Sequence, residues 1–181
     1  MRWLVLIIIS VAVLLCIFFL LPKHRAVASV KFRVDDLAPY HWIPRIYTCH
    51  GKNINPEIEI LHLPPGTRYY AVLLYDPDAP GGTFYHWLLF DVPASIHVIP
   101  PGLPKQFRTD YGYQGYNDFG WLGYGGPCPP PGKPHHYHFL VLALKAKIPP
   151  KPYRPKQFLD LVQQYVVGKG EVVLLYGTSK S

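Results

Sequence analysis

The sequence predicts a mainly β, sandwich-like domain with one peripheral helix, preceded by an N-terminal transmembrane segment. Three observations predict it. Short runs rich in Val, Leu, Ile and aromatics recur along the chain, each closed by Pro, Gly, Asn or Asp, which is the pattern of strands separated by turns. A single stretch, Pro155 to Val167, carries apolar residues at helical spacing. Ahead of them all, Trp3 to Leu21 is an uncharged apolar run of 19 residues, about the length that crosses a bilayer as a helix.

The 181 residues therefore divide into an N-terminal segment, 1–28, and one domain, 29–181. Arg2 precedes the apolar run, and Pro22, Lys23, His24 and Arg25 close it. It exceeds the roughly 7–15 apolar residues of a cleaved export signal, so the expectation is a membrane anchor holding an extracytoplasmic domain. Ala26-Val27-Ala28 resembles a small-residue cleavage site, and secretion after cleavage near Ala28 is the alternative.

Apolar residues make up 49% of the chain and charged ones 16%, a balance that supports a core and excludes a disordered chain. With Arg2, Lys23 and Arg25 set aside, 15 basic residues face 11 acidic ones. They are scattered and accompany no nucleic-acid-binding motif, so the charge implies a mild preference for anions and no nucleic-acid partner. Of the three cysteines, Cys16 falls in the apolar run. Cys49 and Cys128 either pair, which an exported domain permits, or remain two buried thiols. No CxxC spacing points to a zinc site, and no metal or other cofactor is expected.

Taken in order, Val30 to Val34 alternates as a half-exposed strand, and Leu37 to Tyr47, interrupted by Pro39 and Pro44, reads as irregular or edge structure. Glu57 to Leu63 alternates strictly, with Ile58, Ile60 and His62 on one face. Tyr69 to Tyr75 and Tyr85 to Val92 are two further strands, joined by Asp76-Pro77-Asp78-Ala79-Pro80-Gly81-Gly82. Pro77 and Pro80 stiffen that connection and push the residues before them towards extended backbone. Two carboxylates are thus held at a strand end, with His86 at the start of the next strand.

Tyr111 to Gly132 is too rich in glycine and proline for an element interior. Its aromatics (Tyr111, Tyr113, Tyr116, Phe119, Trp121, Tyr124) predict an ordered loop instead of a linker. His135 to Ala146 is the strongest strand, apolar on both faces and hence central. In the helix, Phe158, Leu161, Val162 and Tyr165 form the apolar stripe, Pro155 suits the first turn and Gly168 the C-terminal cap. Glu171 to Tyr176 is the last strand.

These motifs, taken together, resemble those of the phosphatidylethanolamine-binding protein family, in its bacterial and archaeal branch. The residues that carry the resemblance are Asp76 to Gly82, His86-Trp87, Asn117-Asp118-Phe119-Gly120, Gly125-Gly126-Pro127-Cys128-Pro129-Pro130, and His135 with Tyr137. Upstream, Thr48-Cys49-His50-Gly51 with Asn53 and Pro56 fits as well. The resemblance covers about Tyr47 to Tyr176. It implies a large antiparallel sheet packed on a smaller one, and an anion pocket built from Asp76, His86, Gly126, Pro129, His135 and Tyr137. Asp78, Pro77 and Pro80 would shape its walls. This chain departs from the family pattern at His136, where Arg is usual, at His50, where Asp is usual, and at Asn55, where Ser is usual.

The chemistry of that residue set is coherent. Imidazoles and a phenol donate hydrogen bonds to a phosphate or carboxylate, and a carboxylate beside a histidine favours its charged donor form. The expected function is non-enzymatic binding of a small anionic group, a phosphate or phospholipid headgroup. Other family members act on kinases or proteases as protein partners. The alternative is a hydrolase in which Asp76 and His86 form a general acid–base pair on a phosphorylated or ester substrate. No nucleophile elbow or phosphate loop accompanies them.

Overall fold

In the computed structural model, residues 27–177 are described. Among the described residues nine strands form two sheets: β1 (Ala28–Ser29), β2 (Lys31–Val34), β3 (Ile58–His62), β4 (Tyr69–Asp76), β5 (Phe84–Pro93), β6 (Val98–Ile99), β7 (Tyr113–Gln114), β8 (His135–Leu144) and β9 (Val166–Tyr176). The large sheet runs β1-β9-β8-β4-β5-β7 and the small one β2-β3-β6. Every pairing is antiparallel except that of β1 with β9. The expected large-on-small sandwich is what forms.

The order of the large sheet follows from hydropathy. β4 and β8 lie centrally, and β4 is buried from Tyr70 to Leu74 and β8 from Val141 to Leu144. One face, with Tyr70, Val72, Leu74, Phe139 and Val141, packs on Phe32, Val34, Ile58 and Ile60 of the small sheet. The alternation predicted for β3 holds at Ile58 and Ile60, whereas His62 is exposed at the strand's end. The opposite face, with Ala71, Leu73, Leu88, Phe90 and Leu142, is covered by Phe158 and Val162 of α1 (Pro155–Val162).

Two expectations need correction. The helix does not continue to Val167. It ends at Val162, passes through a 3₁₀ turn at Gln163–Tyr165, and enters β9 at Val166. Gly168 is a strand residue, not a cap. It pairs with Ala28 and Ala143, and a Cβ there would press on the Pro64 ring and the Ala28 carbonyl. Ladder pairing with β8 outweighs the weak helical preference of Val166 and Val167.

The second correction concerns the membrane-crossing helix expected ahead of the sandwich. Trp3 to Leu21 lies outside the described residues, and no helix among the described residues is long and apolar enough to cross a membrane. The fold class supported is therefore the mainly β domain without that segment.

Candidate functional site

Strand ends and two loops meet at one end of the large sheet. Because β4 is antiparallel to both β5 and β8, the end of β4 (Asp76) lies beside the starts of β5 (Phe84, His86) and β8 (His135, Tyr137). Between them is a cavity of about 190 Å³, lined by Asp76, Phe84, His86, His135 and Tyr137, by Ala79 and Pro80 of the β4–β5 loop, by Phe119, and by Cys128-Pro129-Pro130. The volume is below the roughly 300–1,000 Å³ that encloses a drug-sized ligand, so it suits a small group.

Asp76 is a hub. Its Oδ1 accepts the Asp78 backbone N–H at 2.8 Å, a local turn that shapes the loop, while Oδ2 accepts from His135 Nδ1 at 2.7 Å. Both side chains of that pair are nearly buried. Asp78 plays the parallel role one residue along: its Oδ2 accepts both the backbone N–H of His136 at 2.8 Å and His136 Nδ1 at 2.7 Å. The bonds from His136, the backbone one foremost, hold the Asp78 carboxyl below its ordinary range. The two aspartates therefore tie the Pro77–Pro80 loop to the first two residues of β8. Pro77 and Asp78 act through this tie and do not line the cavity, whereas Pro80 does.

His86 is oriented differently. Its Nδ1–H donates to the Gly125 carbonyl at 2.7 Å, and the ring is boxed in by Phe84, Phe119 and Tyr137. Burial pushes its pKa down, against the pull of the Gly125 carbonyl and the Asp76 carboxylate, so the ring is neutral at pH 7. No hydrogen bond joins Asp76 to His86 among the described residues. The acid–base pair expected for a hydrolase is not assembled, because Asp76 is engaged by His135 and His86 by a backbone carbonyl.

Tyr137 is the cavity's unsatisfied group. Its side chain is fully buried, and its hydroxyl has no hydrogen-bond partner among the described residues. Burial, then the nearby Asp76 carboxylate, raises its pKa far above the ordinary range, so the phenol keeps its proton and remains a donor.

Gly126 does not line the cavity. Its N–H donates to Asn53 Oδ1 at 2.7 Å, and a Cβ at this position would overlap the Tyr47 carbonyl oxygen and Thr48 Cα. The glycine is required for this close approach, and its N–H is not offered to a ligand. Three further ties hold the same loop: Tyr124 hydroxyl to Tyr47 carbonyl at 2.8 Å, Cys49 N–H to Pro127 carbonyl at 3.1 Å, and the Cys49–Cys128 disulfide with its Cα atoms 5.4 Å apart. Of the two alternatives for these cysteines, the paired one is present. Sequence reasoning passed over Phe84 as a wall and Asn53 as a brace. Asn53 carried a signal, since it follows the Thr48-to-Gly51 turn and takes a positive φ of 56°, which Asn tolerates best among residues with a side chain.

A family model described as phosphatidylethanolamine-binding protein matches residues 34–177. The chain belongs to the phosphatidylethanolamine-binding protein family. Among its relatives, the UPF0098 protein PH1269 of Pyrococcus horikoshii is 43% identical over 140 residues, 75% of this chain and 70% of that protein. A UPF0098 protein of Aquifex aeolicus is 41% identical over 135 residues, 70% of this chain and 79% of its own length. Among solved structures, Escherichia coli YbcL, described as a new member of the mammalian PEBP family, superposes with a TM-score of 0.77 at 30% identity, covering 84% of this chain and all (100%) of YbcL. The Chlamydia trachomatis homolog CT736, at 22% identity and a TM-score of 0.75 over 83% of this chain and 99% of its own, shares the fold.

Proposed function

We propose that this domain is a binding protein whose cavity holds a small anionic group, a phosphate either free or as part of a phospholipid headgroup. The observation that carries the reading is the Tyr137 phenol in the cavity wall, which keeps its proton and whose hydroxyl has no hydrogen-bond partner among the described residues. An uncompensated buried hydroxyl costs about 1–3 kcal/mol, and a ligand oxygen recovers that cost. His135 supplies a second polar contact. Asp76 fixes the ring through Nδ1, which leaves Nε2 as the ring nitrogen open to a ligand. Neutral His86 contributes Nε2, an acceptor for a P–OH proton of a free phosphate or phosphomonoester, or for the ammonium N–H of an ethanolamine headgroup. The phenylalanine walls keep these contacts dry, which strengthens them. The disulfide supports an extracytoplasmic, oxidising location for the domain.

The test is calorimetric titration of the full chain with inorganic phosphate and with phosphoethanolamine, comparing wild type with His135→Gln and His86→Ala. Saturable binding that each substitution weakens by roughly tenfold or more is expected, the scale of one charge-assisted hydrogen bond. Phosphate bound as well as phosphoethanolamine identifies the free anion as sufficient. Unchanged affinity in both variants overturns the assignment.

A further inference from the structure

The Cys49–Cys128 disulfide has a third member beside it. The His50 ring lies tilted by 33° against Tyr176, with Nδ1 hydrogen-bonded to the Tyr176 hydroxyl at 3.0 Å, and its Nδ1 and Nε2 lie 3.6 and 3.9 Å from Cys49 Sγ. The two sulfurs and the imidazole nitrogen all fall within 4.8 Å of one another. Cys128 and His50 are exposed and Cys49 is half-buried, so solvent and small solutes reach the cluster. We propose that, in its dithiol state, the domain binds one soft divalent cation of the zinc type through Cys49 Sγ, His50 Nε2 and Cys128 Sγ.

Every chain passes through that state before its disulfide forms, and a dithiol reductant restores it. Two electrons and two protons pass from the reductant to the S–S bond, giving two Cys thiols and the oxidised, cyclic disulfide of the reductant. The cation then displaces both thiol protons to solvent and gains two metal–sulfur bonds and one metal–nitrogen bond.

What makes the site more than two nearby thiols is the way the loops are held. Opening the S–S bond leaves the other braces intact: Gly126 N–H to Asn53, Cys49 N–H to the Pro127 carbonyl, and the Tyr124 hydroxyl to the Tyr47 carbonyl. The thiols therefore stay opposed across a backbone separation of 5.4 Å. A tetrahedral zinc with bonds of about 2.3 Å to sulfur and about 2.0 Å to nitrogen needs the sulfurs roughly 3.8 Å apart and nitrogen roughly 3.5 Å from each.

The outer contacts also suit a metal ligand. Tyr176 fixes the imidazole through Nδ1 and leaves Nε2 for the metal, and the Thr48 hydroxyl in turn donates to the Tyr176 oxygen at 3.1 Å. Three protein donors leave one tetrahedral position to water. Cys128 also belongs to the cavity wall, so the cluster adjoins the cavity.

The experiment uses cobalt(II) alone as the probe. The full chain is reduced with dithiothreitol, freed of it under anaerobic conditions, and titrated with cobalt while near-ultraviolet circular dichroism reports folding. The expected result is one equivalent of cobalt with thiolate charge-transfer absorption and tetrahedral visible bands, displaced by zinc and absent from the oxidised protein. Cys49→Ser should abolish the charge-transfer signal, and His50→Ala should weaken binding by 10-fold or more. Absence of the signal from the folded dithiol protein overturns the proposal. So does equal binding by His50→Ala, or loss of folding on reduction, because the site depends on the intact loops.

Discussion

Removing the Tyr137 hydroxyl separates stability from binding, and the two effects have opposite signs. In the ligand-free protein the hydroxyl is buried without a partner, so Tyr137→Phe relieves a desolvation cost of about 1–2 kcal/mol and leaves the ring's contacts with His86 unchanged. For a domain of this size that corresponds to a rise in Tm of roughly 2–8 °C. With ligand bound, the same substitution removes a hydrogen bond to a charged oxygen, about 1.5–3 kcal/mol, which is a roughly 10- to 100-fold loss of phosphate affinity. Thermal unfolding by circular dichroism and calorimetric titration measure the two effects on the same preparations. A variant that unfolds earlier than wild type would show that the hydroxyl already has a partner in the free protein. A variant that is stabilised but binds phosphate as well as wild type would refute the role of Tyr137 as ligand donor.

Three other substitutions or conditions probe the surrounding framework. Asp76→Ala leaves a nearly buried His135 without its carboxylate and the Pro77–Pro80 loop without its internal tie, so a loss of about 3 kcal/mol in denaturant unfolding is expected, against a small loss for Asp76→Asn. Gly126→Ala forces a methyl onto the Tyr47 carbonyl and Thr48 Cα and should cost about 3 kcal/mol or more, whereas Gly81→Ala, which meets nothing within 4 Å, should be nearly silent in the same assay. His86 has a lowered pKa in the folded state. Below its ordinary value of 6.5 the unfolded chain takes up a proton that the folded one refuses, so stability should fall as pH drops from about 7 towards 5. Urea midpoints across that range should show the fall in wild type and a smaller one in His86→Phe.

The sandwich was legible because β4, β5 and β8 are long apolar runs whose ends are marked by proline and glycine. The helix end was misread because Val166, Val167 and Gly168 fit a helical terminus locally, and only the partner strand, distant in sequence, decides for β structure. In the site, Asp76, His86, His135 and Tyr137 were identified as a set, but not which histidine Asp76 meets. That depends on strand order: β4 lies between β5 and β8, and Asp76 turns towards β8. Gly126 was placed in the anion pocket by the family pattern, whereas it packs on Tyr47 and gives its N–H to Asn53, a contact that no local pattern encodes.

The disulfide and the Asn53 brace join the cavity's far wall to a segment 79 and 73 residues earlier in the chain, respectively, and the near wall comes from the ends of three central strands. Nothing in this site is built from neighbours alone. Closing loops of that length costs chain entropy, so the cavity exists only once both long-range closures are made. Occupancy of the cavity therefore reports a completed fold. A chain still emerging from the ribosome, or one cut before β8, presents the Asp76 loop but has no place for a ligand to bind.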